Sequence, residues 1–166
     1  PREVPAGFAE EFPQLCFHKQ PHPFPLAFRP PTRIDVVGSF LLGTCVRSDL
    51  CADVALEMPS ESFQAKDYIN WRYMDKRAAY VGELHRQLSA LRAGGGPLAD
   101  VEVHLEALQG DFFRPCVVLE AKGRKGSDEA SWAVRLLPTY APDLWPLSKL
   151  APDRNLVRPA SFVGDA

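Results

Sequence analysis

An apolar run, Ile34 to Val37, stops at Gly38-Ser39, and a second run, Ala52 to Met58, carries one early acid, Asp53. A strand, a Gly-Ser turn and a second strand with an acid form an arrangement able to handle phosphate. Backbone N–H groups where such a turn opens a short helix can hold phosphate oxygens, and glycine lets the backbone come close to them. Two carboxylates one residue apart on the next strand point to one face. With a third acid from a later strand they can hold Mg²⁺ ions that neutralise a triphosphate and position an attacking oxygen.

Here the pair is broken in either register. If Asp53 is the first acid the second position is Ala55, and if it is the second the first position is Cys51. Glu57 lies four residues on, about 13 Å along a strand, whereas paired metals sit about 4 Å apart. The third acid is expected from the strand Cys116-Val117-Val118-Leu119, whose nearest carboxylate, Glu120, is at its far end. Asp49, in the loop before the second strand, is poorly placed. The order of elements resembles that of nucleotidyltransferases, with a degenerate site at Gly38, Ser39 and Asp53. The expectation is no catalysis, no metal site and no cofactor. Two alternatives stay open: an active metal-dependent nucleotidyltransferase that recruits Asp49 or Glu120, and a pure protein-interaction domain.

A second group could bind nucleic acid. Lys66, Arg72 and Lys76 fall within three helical turns, with Tyr68 and Trp71 interleaved. Cations at that spacing can hold a phosphate backbone while a ring receives an unstacked base, so these three are RNA-binding candidates. The competing readings are a solvated face and ion pairs with local acids such as Asp67. Arg77 is expected to be structural, held by a carboxylate. Replacing Lys66, Arg72 and Lys76 together by Glu is expected to leave the domain folded. His104, Cys51 and Cys116 read as structural, and Trp71, Trp132 and Trp145 as packing residues.

The elements that must position these groups are legible in outline. Half of the sixteen prolines precede Thr32, which makes residues 1–31 an extended arm whose Phe17, Phe24 and Phe28 should lie on a surface. Before Pro13 a mobile tail is an equal expectation. Residues 32–138 form the core. Its first two strands are Ile34 to Val37 and Ala52 to Met58. A long helix then starts at Pro59-Ser60-Glu61-Ser62 and ends at Gly94-Gly95-Gly96-Pro97, with a stripe of Tyr73, Tyr80, Val81, Leu84, Leu88 and Leu91. The runs Val101 to Leu108, Cys116 to Ala121 and Trp132 to Leu137, joined by short turns, read as an antiparallel meander. Prolines return beyond Pro138, so residues 139–166 read as an irregular extension. The fold class is α/β: a nucleotidyltransferase-like mixed sheet with a long helix.

The longer string is specific. Asp35-Val36-Val37-Gly38-Ser39-Phe40-Leu41-Leu42-Gly43-Thr44, then Asp53 to Pro59, then Phe63 to Asn70, Arg72-Tyr73 and Lys76 to Tyr80 closely resemble the first domain of the nucleolar RNA-associated protein family, Nrap. The likeness runs from about Pro31 to Arg158. It implies a large multidomain protein of catalytically silent nucleotidyltransferase-like modules, working in the small-subunit processome on ribosomal RNA processing and ribosome biogenesis in the nucleolus. The partners so implied are pre-ribosomal RNA, other processome proteins and the remaining domains of its own chain.

Composition agrees and excludes rivals. The 166 residues carry a net charge of -2, too little for coating nucleic acid by bulk attraction, so any RNA contact must be a local patch. Cys16, Cys45, Cys51 and Cys116 have no CxxC spacing, which points to reduced thiols rather than a zinc site. Apolar runs fall far short of the roughly 20 residues that span a bilayer, so no membrane partner is expected. The chain opens at Pro1 rather than Met, which suggests a piece of something longer.

Overall fold

A computed structural model describes residue 12 and residues 28–46, 50–121 and 131–157. Five strands form one mixed sheet: β1 (Arg33–Val37), β2 (Leu50–Glu57), β3 (Glu102–Ala107), β4 (Pro115–Ala121) and β5 (Trp132–Thr139), in the order β1-β2-β5-β4-β3. The expected meander of β3, β4 and β5 is present, each neighbour antiparallel. Its last strand then joins β2 in parallel, with Asp53 opposite Arg135. This pairing places the meander beside the Gly-Ser strand pair and unites two halves of the sequence in one sheet. A four-residue helix, α1 (Gly38–Leu41), leaves β1, and the long helix α2 (Arg72–Ala93) crosses one sheet face.

The apolar periodicity explains that crossing. Ala78 and Val81 of α2 are buried against Val103 and Val117, with Leu84, Leu88, Leu105, Leu119 and Leu136 packed around them. Phe12, only 1% exposed, belongs to the same cluster, so the expectation of a mobile tail before Pro13 does not hold at this residue. A ring of that size contributes about 1.5–3 kcal/mol when fully buried. Phe28 stacks on Tyr80 with ring centroids 4.7 Å apart, and the Tyr80 hydroxyl donates to the Arg29 carbonyl at 2.9 Å. Phe17 and Phe24 lie outside the described residues. Leu91, expected on the core stripe, is instead exposed.

The start of α2 also differs from expectation. Ser60–Ser62 makes only a 3₁₀ turn, and the helix begins well beyond it, at Arg72. Asn70 and Trp71 take left-handed φ values of 56° and 63°, which break any continuous helix from Ser60. Long-range contacts hold this turn. The Asn70 N–H donates to the Leu156 carbonyl at 2.9 Å, and Trp71 stacks on Phe113 at 5.4 Å. At the other end Gly94 caps the helix, as the glycine run requires. Beyond β5, Tyr140 and Trp145 pack edge-on against Tyr73, so the C-terminal extension contributes to the core.

Burial raises the pKa of the Tyr80 hydroxyl to about 12 and that of the Cys116 thiol to about 11. Both acids ionise more readily in the unfolded chain. Their contribution to stability is therefore complete below about pH 9 and is lost as pH rises from about 9 towards 12. Melting temperature should be level from about pH 7 to 8.5 and fall steadily from about pH 9 to 11. Cys116→Ala should remove the earlier part of the fall. A flat profile to about pH 11 would contradict the burial of both groups.

Candidate functional site

Gly38, Ser39 and Asp53 do converge. The antiparallel pairing sets Val37 opposite Asp53, so the Gly-Ser turn opens beside that carboxylate. Gly38 has φ of +73°, and a Cβ there would meet Asp53 Oδ2 at 2.9 Å; only glycine satisfies both the conformation and the approach. The Ser39 hydroxyl lies 3.2 Å from Cys45 Sγ.

The sheet decides what faces Asp53. The strand beside β2 is β5, not the Cys116 to Leu119 strand from which a third acid was expected. At the facing position β5 carries a cation. Arg135 Nε donates to Asp53 Oδ1 at 2.7 Å and its Nη2 to Oδ2 at 3.3 Å, a two-point clasp in which both side chains are about a fifth to a quarter exposed. The Asp53 bonds raise the Arg135 pKa, so the guanidinium stays charged. Cys51 and Ala55, the residues flanking Asp53 on its own face of β2, bring no carboxylate. Glu57 is engaged elsewhere, accepting from the Thr32 hydroxyl at 2.8 Å. Glu120 pairs with Glu102 and Ala133, two residues along β4 from the row that contains Asp53. Asp49 lies outside the described residues. Among the described residues no three His, Cys, Asp or Glu side chains gather where a metal ion could be held. The described residues do not fit a two-metal site: among them one acid remains there, and it is already neutralised.

Sequence reasoning treated Arg135 as an ordinary strand residue. Its only local signal was a lone cation within the apolar run Trp132 to Leu137, and that signal gains meaning once β5 is known to lie beside β2.

The cationic group divides. Lys66 and Arg72 are exposed, and Trp71 between them is half exposed. Lys76 is buried and cannot serve as an RNA contact. Its ammonium lies 2.6 Å from Asp67, which is 1% exposed, and donates to the Ser62 carbonyl at 2.9 Å. Asp67 also accepts the Gln64 N–H at 2.7 Å, so the pair pins the turn that precedes α2. Arg77 is structural, as expected, but carbonyls rather than a carboxylate hold it. Its Nε donates to Pro138 O at 3.0 Å and Nη1 to Pro115 O at 2.8 Å, and burial lowers its pKa. Tyr68, Trp71, Tyr73, Tyr140 and Trp145 help line a mainly apolar cavity of about 400 Å³. The turn Gly123-Arg124-Lys125-Gly126 lies outside the described residues.

The family model of Nrap protein domain 1 matches residues 4–166. Nucleolar protein 6 of Homo sapiens is 38% identical over 165 residues, covering 98% of this chain and 13% of that protein. The Mus musculus protein of the same name is 40% identical over 139 residues, 84% of this chain and 11% of its own. U3 small nucleolar RNA-associated protein 22 of Schizosaccharomyces pombe is 34% identical over 108 residues, 64% of this chain and 9% of its own. The chain thus spans about an eighth or less of the length of these relatives.

Proposed function

The chain belongs to the Nrap family, and from that premise we propose that it is a catalytically silent, nucleotidyltransferase-like scaffold that contributes to ribosome biogenesis and ribosomal RNA processing. Its place is the nucleolus, and its partners are the remaining domains of its own polypeptide, other proteins of the small-subunit processome and pre-ribosomal RNA. The Asp53–Arg135 clasp carries the reading of silence. A metal ion drawn to Asp53 meets a fixed positive charge on the same carboxylate, with no second acid among the described residues to offset it. Arg135 also occupies the facing position from which a further acid would have to reach the ion.

RNA contact, in this reading, falls to the exposed Lys66 and Arg72, which neighbour the cavity-lining Asp67 and Trp71 in sequence, with the face of the half-exposed Trp71 ring not stacked on Phe113 offered to a base. Two phosphate contacts are few. They add affinity within a large assembly and do not bind RNA tightly alone.

Purified full-length polypeptide, given Mg²⁺ or Mn²⁺ and labelled nucleoside triphosphates, should extend no RNA end, and Asp53→Ala should leave that result unchanged. Template-independent extension that vanishes in Asp53→Ala would establish the active-enzyme alternative in its place.

A further inference from the structure

Among the described residues the helix layer covers only part of the sheet. α2 packs on β3, β4 and β5, and Phe12 fills in against the same strands. On that same face, β1, β2 and the first half of β5 carry only apolar residues, including Ile34 and Val36, Leu50 and Val54, Trp132 and Val134. Charge is confined to the opposite face, where Arg33, Asp35, Asp53, Glu57 and Arg135 alternate with them. Such segregation is the mark of a sheet whose apolar side is built to be packed over, not wetted. Yet Ile34 and Val36 are 63% and 42% exposed, and Leu50 and Trp132 are 37% and 38% exposed. In the adjoining α1 turn Phe40, Leu41 and Leu42 are exposed as well.

We propose that this uncovered face is the seat of a second, amphipathic helix, lying beside α2 and supplied by the same polypeptide from outside these 166 residues. The width fits one helix. Three strands about 4.8 Å apart span about 10 Å, the diameter of a helix with its side chains, and a neighbour to α2 would sit at the usual axial separation of about 8–10 Å. The chemistry fits a permanent partner. A continuous apolar face without a polar position resembles a domain core cut in half, whereas surfaces that meet and part mix polar with apolar groups. The source fits the family, since this chain matches only 13% of the human relative, and an element on the same polypeptide is held at an effective concentration that a free partner does not reach. The proposal is independent of whether the Asp53 site is silent.

A photoreactive benzoylphenylalanine in place of Val36 in the full-length polypeptide tests it, with Trp132 replaced in a second variant. A mixture of isotopically light and heavy protein separates cross-links within one molecule from those between copies. The expected cross-link is intramolecular. It ends in a segment outside these residues whose apolar positions recur at three and four, and in the unsubstituted full-length polypeptide hydroxyl-radical oxidation of Val36 and Trp132, each rate divided by the intrinsic reactivity of its side chain, is at least about ten-fold slower than that of Leu147, which is 79% exposed. A cross-link to a second copy, to another protein or to the Pro-rich arm of this chain would overturn the proposal. Normalised oxidation of Val36 and Trp132 as fast as that of Leu147 would do the same.

Discussion

Lys76→Glu should unfold the domain. The substitution sets a second carboxylate against Asp67, which is buried and otherwise paired with the Lys76 ammonium at 2.6 Å. Removing one partner of a buried pair costs about 3–5 kcal/mol, and like charge at such close range adds to that. A domain of this size has only about 5–15 kcal/mol in total. Replacing Lys66, Arg72 and Lys76 together by Glu is therefore the wrong test of RNA binding, because an unfolded domain would be mistaken for one that no longer holds RNA. The informative variant is Lys66→Glu with Arg72→Glu. It should melt within about 2 °C of the parent while RNA cross-linking of the full-length polypeptide weakens. Its slope of log affinity against log salt should fall by about 0.7 for each phosphate of a single strand that is no longer neutralised. Calorimetry and salt titration decide both points. Restored melting in Asp67→Asn with Lys76→Met would confirm that the unpaired charge, rather than poorer packing, unfolds Lys76→Glu. Unchanged cross-linking in the double Glu variant would assign Lys66 and Arg72 to solvent or to a protein.

The other large effect is expected at Arg77, which binds α2 to the sheet at one point on β4 and another on β5. Arg77→Met keeps most of the volume but leaves the carbonyls of Pro115 and Pro138 without their donor in a buried setting. Each such loss costs about 1–3 kcal/mol, more where the bond was charge-assisted, so the pair should cost about 3–5 kcal/mol. Arg77→Lys should recover less than half, because a single ammonium does not reproduce the forked geometry that reaches both carbonyls. Urea denaturation measures all three proteins. A destabilisation below about 1 kcal/mol in Arg77→Met would mean that water replaces the guanidinium and that the junction between helix and sheet lies elsewhere.

Part of this design was legible locally. The apolar runs Cys116 to Ala121 and Trp132 to Leu137, bounded by turn residues, are read as strands of a meander, and they pair as one. The glycine run after Arg92 specifies where the long helix stops, because nothing downstream can continue it. Most informative was an absence. Cys51 and Ala55 beside Asp53 broke the acid pair in the sequence itself, since residues two apart on a strand share a face whatever the rest of the fold does.

Tertiary structure decided the rest, for reasons that no local pattern holds. Periodicity assigns a residue to a face but does not name the neighbouring strand, so the meeting of Asp53 with Arg135, 82 residues apart, had to await the parallel pairing of β2 with β5. The start of α2 was misread because a serine-rich opening followed by good helix formers satisfies every local rule. The left-handed turn at Asn70-Trp71 that overrides them is held by Leu156 and Phe113. Lys76 and Arg72 have similar chemistry and lie one helical turn apart, yet one is buried on Asp67 and the other faces water. The sequence by itself determined that Asp53 has no acid at either flanking position on its face, Cys51 and Ala55. Only the folded sheet determined that a guanidinium faces Asp53, because which charges meet is set by the packing of distant segments, and sequence spacing does not record it.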